Sequence, residues 1–185
     1  MNIEEIMDNS RIEILNKFQE VSKFNSNVKD LDDFLKNKAY IQSKLNLNVT
    51  YIIIYKKEII AYFSLLSDSI RLKDINEIDI LLKEKKYKNF PAIKLGKFAV
   101  DTKYQGIGLG SIIFKEIMWN INLYSKKVGV RFITLDAYAT SFNFYFKKQN
   151  CNYYKKEKNK VLKINKIIKQ NPLQPISLYK DLKKL

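Results

Sequence analysis

The sequence predicts an α/β fold in which a mixed central β-sheet is flanked by helices. Three observations predict it. Runs rich in β-branched and aromatic residues recur at 50–55, 59–66, 93–100, 131–136 and 176–182, each of strand length. Between the third and fourth runs, Ile113, Ile117 and Ile121 repeat every four residues, which lays one apolar stripe along a helix. The third run passes into that helix through Gln105-Gly106-Ile107-Gly108-Leu109-Gly110-Ser111, a turn whose glycines free the backbone to curl. The order strand, turn, helix, strand makes a right-handed crossover, so strands 93–100 and 131–136 are expected to be parallel neighbours.

Each element follows from its residues. Leu31, Phe34, Leu35, Ala39 and Ile41 fall close to helical spacing, with Asp30 placed to cap the helix. Thr50 to Tyr55 reads as a strand, Lys56 and Lys57 as a turn, and Ile59 to Leu66 as the return strand of a hairpin. Residues 70–90 are highly charged and read as a short helix or an excursion. Pro91 is expected to open the central strand, where a missing N–H is tolerated. In that strand Ile93, Leu95, Phe98 and Val100 suit the middle of a sheet covered on both faces. A helix runs on from about Ser111, and Ile176 to Leu182 forms the final strand. No internal repeat and no Pro/Gly/Ser-rich linker divides the chain, so residues 1–185 are read as a single domain.

Composition narrows the chemistry. With 185 residues and 46% hydrophobic content the chain can bury a core without covalent staples. Its one cysteine cannot form an internal disulfide, and no apolar run approaches the roughly 20 residues of a membrane helix. The segment Met1-Asn2-Ile3-Glu4-Glu5 is acidic and lacks an apolar export region, which points to the cytoplasm and to no membrane partner. The net charge of +15 suits a nucleic-acid partner. The cations are nonetheless mostly lysine: arginine occurs only at Arg11, Arg71 and Arg131, so 34 minus 3 leaves 31 lysines, point charges without the planar fork that grips phosphate. A surface simply filled with lysine explains the charge equally well. Residues 153–185 carry ten lysines against Glu157 and Asp181, a local excess of +8. The absence of histidine excludes histidine bases, histidine-oriented nucleophiles and histidine-containing zinc sites, and no metal is expected.

The turn at 105–111 reads either as an ordinary glycine-rich turn or as a phosphate loop of a particular kind. A helix amino end offers unpaired N–H groups and a positive dipole to an anion. The spacing fits neither a nucleotide-hydrolysing loop, which needs Lys-Ser/Thr after four intervening residues, nor the dinucleotide fingerprint, since Ser111 stands where its third glycine belongs. What remains is Gln-x-x-Gly-x-Gly at a strand-to-helix junction, which resembles the coenzyme A pyrophosphate loop of the GNAT superfamily of N-acetyltransferases. Further segments agree in chain order. Residues 90–101 are similar to the superfamily's central strand, 131–138 to the strand after the helix, and Phe144-Tyr145-Phe146-Lys147-Lys148 to the Phe-Tyr-x-Lys segment of its last helix. Phe24-Asn25-Ser26, Leu31-Asp32-Asp33-Phe34-Leu35 and Ala39 resemble the opening helices of a subset that includes toxin-type acetyltransferases.

The resemblance implies a GNAT-like acyltransferase fold, acetyl-CoA as acyl donor, and direct attack by a primary amine on the bound thioester. It places the main chain of Phe98, Ala99 and Val100 against the pantetheine arm and the thioester oxygen. It wraps Gln105, Gly106, Gly108, Gly110 and Ser111 around the pyrophosphate, and offers Asn143 as a weaker pantetheine contact. The family's tyrosine, the general acid for the departing thiolate, maps to Tyr145. The family closes this helix with Gly-Phe a fixed step after the tyrosine, whereas Asn150-Cys151 stand one residue too far. Aligning on Asn150 would put Phe146, which has no proton to give, at the tyrosine's place. Asparagine can adopt the left-handed turn that glycine normally supplies. Cys151 has no activating constellation beside it and reads as a small buried or surface residue. Asp136 could act as a base or pair within the sheet; no general base is identified. Three functions compete: a toxin-type enzyme acetylating the α-amine of an aminoacyl-tRNA, with Lys94, Lys97, Lys147 and Lys148 flanking the acceptor end; an N-acetyltransferase for a small-molecule or protein amine; and a non-catalytic module binding coenzyme A or RNA. The toxin reading carries an antitoxin as partner. A homodimer is left open.

Overall fold

The computed structural model describes residues 2–75 and 87–184. Most of the charged 70–90 excursion falls at 76–86, outside the described residues; before it, Leu72–Asp74 form a single 3₁₀ turn. Seven strands make one sheet in the order β1-β2-β3-β4-β5-β7-β6: β1 Arg11–Ile14, β2 Val49–Tyr55, β3 Glu58–Arg71, β4 Asn89–Val100, β5 Phe132–Tyr138, β6 Asn152–Tyr153 and β7 Pro175–Asp181. The helices are α1 Ile3–Asp8, α2 Lys29–Asp33, α3 Ala39–Lys44, α4 Leu109–Val128, α5 Lys158–Leu162 and α6 Ile164–Gln170. Among the described residues no helix is long and apolar enough to cross a membrane. The chain forms two compact units, residues 1–66 with 95–116 and residues 67–94 with 117–185.

In the first unit, β1, β2 and the start of β3 form an antiparallel meander. The β2–β3 turn places Lys56 and Lys57 at φ +47° and +66°, the geometry of a tight hairpin turn that usually selects Asn-Gly. One face of this sheet packs Ile52, Ile54 and Tyr62 against Phe24, Phe34, Leu35 and Ala39. Tyr62 organises the cluster: Phe24 meets its ring edge-on at 5.4 Å, Phe34 stacks on it at 6.0 Å, and its hydroxyl donates to the Leu31 carbonyl at 2.8 Å. Helix α2 runs through a π turn, Phe34–Lys38, into α3. Asp30 is not its cap. The helix starts at Lys29, with Val28 before it, because the Val28 carbonyl accepts from the Leu31 and Asp32 N–H groups. It is the Asp32 carboxylate that reaches back, to the Ser26 N–H at 2.8 Å and hydroxyl at 2.7 Å.

In the second unit, β5 and β7 pair antiparallel from Phe132↔Asp181 to Tyr138↔Pro175, and β6 adds Asn152 and Tyr153 to the far edge of β7. Ile70, Ile75, Phe90, Ala92, Phe132 and Tyr179 form its core. Arg131 and Asp181, almost buried, pair at 2.7 Å.

Strand β4 begins at Asn89, two residues before the expected opening. Pro91 sits inside it, and its carbonyl accepts from the Arg131 N–H, a bond that needs no proline N–H. Nor is β4 covered evenly: Ala92, Leu95 and Ala99 are buried, while Ile93, Phe98 and Val100 are half-buried. The strand following α4 in the chain, β5, is the neighbour of β4 in the sheet. Along α4, Leu109, Ile113, Phe114, Ile117, Met118 and Ile121 are all buried, each worth about 1.5–3 kcal/mol against exposure.

Candidate coenzyme-binding turn and proton donor

One candidate feature lies where β4 ends. Asp101, buried, directs its carboxylate to the Asn25 N–H at 2.9 Å and to the Lys103 N–H at 3.0 Å, and the Asn25 carbonyl accepts from the Thr102 N–H. The opening segment 24–32, matched above only by its resemblance, is thereby laced to the end of β4. Gln105 completes the lacing: its amide donates to the Val100 carbonyl at 2.8 Å and to the Ser26 carbonyl at 3.1 Å. The Gln105 side chain thus shapes the turn, and its N–H groups are already engaged.

Beyond Gln105 the chain passes through Gly106 at φ +80° and Gly108 at φ +93°. Side chains rarely adopt this region, so glycine is required twice in three residues. A Cβ at Gly106 would meet nothing within 4 Å, and one at Gly108 only the Ile3 Cδ1, at 3.7 Å. The turn is an open backbone cradle, and α4 begins at Leu109, directly against it. Gly110 and Ser111 lie in the first helical turn. The Ser111 N–H donates to the Gly108 carbonyl at 3.0 Å, so of that residue the hydroxyl faces the question of a ligand more directly than the main chain. Leading N–H groups of a helix have no partner within it, and the twenty-residue α4 adds its dipole. The turn suits a diphosphate: leading backbone N–H groups, two glycines that carry no side chain, and no carboxylate between 105 and 111. Phe98 and Val100, two residues apart and half-buried, share a face of β4 just before it.

A separate candidate feature lies within residues 117–185. Phe144–Lys148 form a π turn, in which the Gln149 N–H donates to the Phe144 carbonyl and the Cys151 N–H to the Tyr145 carbonyl at 3.0 Å. Asn150 follows at φ +53°, the left-handed conformation expected of it. The extra residue between tyrosine and helix end is absorbed by this widened turn, since a π turn holds one residue more per hydrogen-bonded loop than an α turn. Tyr145 is buried, 8% exposed, with Phe144 edge-on at 4.9 Å. Burial, and secondarily the thiol of Cys151, push its phenol above the ordinary tyrosine value. Phe146 instead stacks on Phe142 at 5.0 Å and tilts against Tyr153 at 5.8 Å. Asn143 is exposed at the start of the turn and makes no capping bond. Cys151 is buried, its thiol pushed up to about 12 by desolvation.

Asp136 is a cross-strand pair. Burial would raise its pKa, but the Lys94 ammonium at 2.6 Å and the Ser177 hydroxyl at 2.8 Å outweigh it and hold the carboxyl below its ordinary value. Lys97 pairs with Asp30 at 2.7 Å. Lys147 and Lys148 are exposed.

No protein-family model matches the chain. Solved structures do. AtaT complexed with acetyl-methionyl-tRNAfMet superposes with a TM-score of 0.75 at 19% identity, over 95% of this chain and 96% of that one. A tyrosine-to-phenylalanine mutant of KacT gives 0.75 at 19% identity, with the same coverage. A tyrosine-to-phenylalanine mutant of the AtaT toxin, bound to the C-terminus of the antitoxin AtaR and acetyl-CoA, gives 0.68 at 20% identity, over 96% of each chain. The chain has the fold of these structures, a seven-stranded, mostly antiparallel sheet with flanking helices.

Proposed function

We propose that this protein is an N-acetyltransferase that moves an acetyl group from acetyl-CoA to a primary amine, the α-amine of an aminoacyl-tRNA. The observation that carries the reading is the cradle at Gly106–Gly108, two left-handed glycines at the head of a long helix, where an added Cβ would meet at most the Ile3 Cδ1 at 3.7 Å. The fold neighbours support it: one is bound to acetyl-CoA and an antitoxin, another to an acetylated aminoacyl-tRNA.

When bound, acetyl-CoA supplies an activated acetyl thioester. The residues of this chain do the rest. Gly106, Gly108 and the leading N–H groups of α4 hold the diphosphate, with the Ser111 hydroxyl beside them. The main chain of Phe98, Ala99 and Val100 orients the pantetheine arm and donates to the oxygen as charge develops on it. Attack by the amine forms a C–N bond and breaks the C–S bond, so one proton must leave nitrogen and one must reach sulfur. Tyr145 supplies the second; Asn143 lies two residues before it as a pantetheine contact. Two consecutive facts favour Tyr145 over Phe146: the π turn absorbs the extra residue, and the solved neighbours include toxins with a tyrosine replaced by phenylalanine. Asp136, held by Lys94 and Ser177, is not the base.

The tRNA acceptor is supported by exposed lysines. Lys147 and Lys148 follow Tyr145, and Lys163, Lys166 and Lys169 recur every three residues beside and along α6. Lys94 and Lys97, engaged with Asp136 and Asp30, are less available to phosphate, and this favours the second reading, a small-molecule or protein amine as acceptor. The site of action is the cytoplasm, and the partner an antitoxin, as for AtaT. The test is transfer of labelled acetyl from acetyl-CoA into a panel of aminoacyl-tRNAs, polyamines and peptides. Label in the aminoacyl-tRNA alone is expected; label in the amines alone establishes the second reading.

A further inference from the structure

Lys180 differs from the other lysines of the basic stretch 153–185. That stretch carries ten; eight are exposed, whereas Lys160 and Lys180 are half-buried. Lys160 pairs with Glu157 at 2.8 Å. Lys180 instead turns its ammonium onto main chain, donating to the Gln149 carbonyl at 2.7 Å and, more weakly, to the Asn150 carbonyl at 3.5 Å. The sheet delivers it there. β6 pairs antiparallel with β7 at Asn152↔Tyr179 and Tyr153↔Leu178, so the next step of the same register sets Lys180 beside Cys151, at the exit of the π turn. An ammonium at the closing carbonyls of a helical turn also meets their partial negative charge favourably.

Those two carbonyls bracket the residue on which the turn depends. Asn150 is left-handed at φ +53°, a conformation that is unfavourable for a residue with a side chain. On either side of it stand the donors that hold the proposed proton donor. The Gln149 N–H reaches the Phe144 carbonyl at 3.1 Å, and the Cys151 N–H reaches the Tyr145 carbonyl at 3.0 Å. A peptide unit is planar, so the Asn150 carbonyl and the Cys151 N–H turn as one body. A grip on that carbonyl therefore aims the N–H at Tyr145. The Gln149 carbonyl, held more firmly, fixes the peptide plane on the other side of Asn150. Tyr145 is buried, so its phenol follows its main chain. We infer that Lys180 is a positioning residue, whose ammonium locks Asn150 in its left-handed turn and thereby sets the phenol of Tyr145. The inference rests on the reading of Tyr145 as proton donor.

The test is Lys180→Met, made in the parent and in Tyr145→Phe. Three quantities are read in each: kcat for labelled acetyl transfer at saturating acceptor, the acetyl-CoA dissociation constant, and the amide exchange rates of Gln149 and Cys151 by NMR. In the parent the substitution is expected to speed exchange of both amides and to lower kcat about 10-fold, the scale of a misplaced reacting group, with acetyl-CoA binding unchanged. In Tyr145→Phe it is expected to lower kcat no further, because residues that act as one unit are not additive. Lys180→Gln, a polar variant whose amide stops short of both carbonyls, is expected to behave as Lys180→Met does. Circular dichroism confirms that each variant is folded. An unchanged kcat in the parent, an equal loss in both backgrounds, or unchanged exchange at Gln149 and Cys151 overturns the inference. Turnover unaltered by Tyr145→Phe alone overturns the proton-donor reading instead, and the exchange rates then still decide whether Lys180 holds the turn.

Discussion

Tyr145 carries the chemistry of the proposal. A phenol that is buried and raised above its ordinary value stays protonated across the working range, as a proton donor must. Tyr145→Phe is expected to lower kcat by about 10²–10⁴, the span of a lost general acid, with the acetyl-CoA dissociation constant unchanged; an unaltered kcat removes the residue from catalysis. The pH profile follows from the same direction of shift. The acceptor amine reacts only when neutral, so kcat/KM is expected to rise up to about pH 8, the region of an α-amine, and then to stay level to about pH 10, because a tyrosine raised above its ordinary value is not yet ionised there. A descending limb between pH 8 and 10 would assign the proton to another group. Cys151, with its thiol pushed up to about 12, is a thiol at any working pH, and Cys151→Ala is expected to leave turnover intact. A fall in kcat would instead indicate an acetyl-cysteine route.

At the scale of elements, the π turn at Phe144–Lys148 reads as one inserted residue accommodated in place. Deleting Lys148, which is exposed, is expected to return the turn to α geometry with no loss of thermal stability; unfolding of the variant would show that the wide turn is built in for another reason. Where β5 begins and β7 ends, Arg131 and Asp181 pair almost out of water, at 13% and 10% side-chain exposure. Asp181→Asn is expected to cost about 3 kcal/mol, because it leaves a buried guanidinium poorly compensated, and a denaturant titration measures it. The main strands and α4 were legible because β-branched runs and a four-residue isoleucine repeat are strong local signals. β1 and β6 were not, since four and two residues carry no period. The misplaced cap has a similar cause. Asp30 and Asp32 are equally good in sequence, and only the approach of Ser26, fixed by Asp101 and Gln105 far along the chain, selects Asp32. The π turn left a single trace, the extra residue before Asn150, and a shift of hydrogen-bond partner by one has no compositional mark.

For the whole molecule, the glycine turn ahead of a long helix was legible in the sequence. The lacing beneath it was not, because Gln105 reads as a ligand contact in sequence and proves to hold the carbonyls of Val100 and Ser26. Charge is the other global property. At +15, with lysines 153–185 in excess, binding to an aminoacyl-tRNA is expected to weaken steeply with salt, the logarithm of affinity falling linearly with the logarithm of salt concentration; a flat dependence would favour a small amine as acceptor. All of this depends on coenzyme binding at the head of α4. Calorimetric titration of acetyl-CoA into the parent protein and into Gly108→Val tests it most directly. One saturable site is expected in the parent and none in the folded variant, whereas a parent that takes up no acetyl-CoA, or a variant that binds it as well as the parent does, would contradict the account.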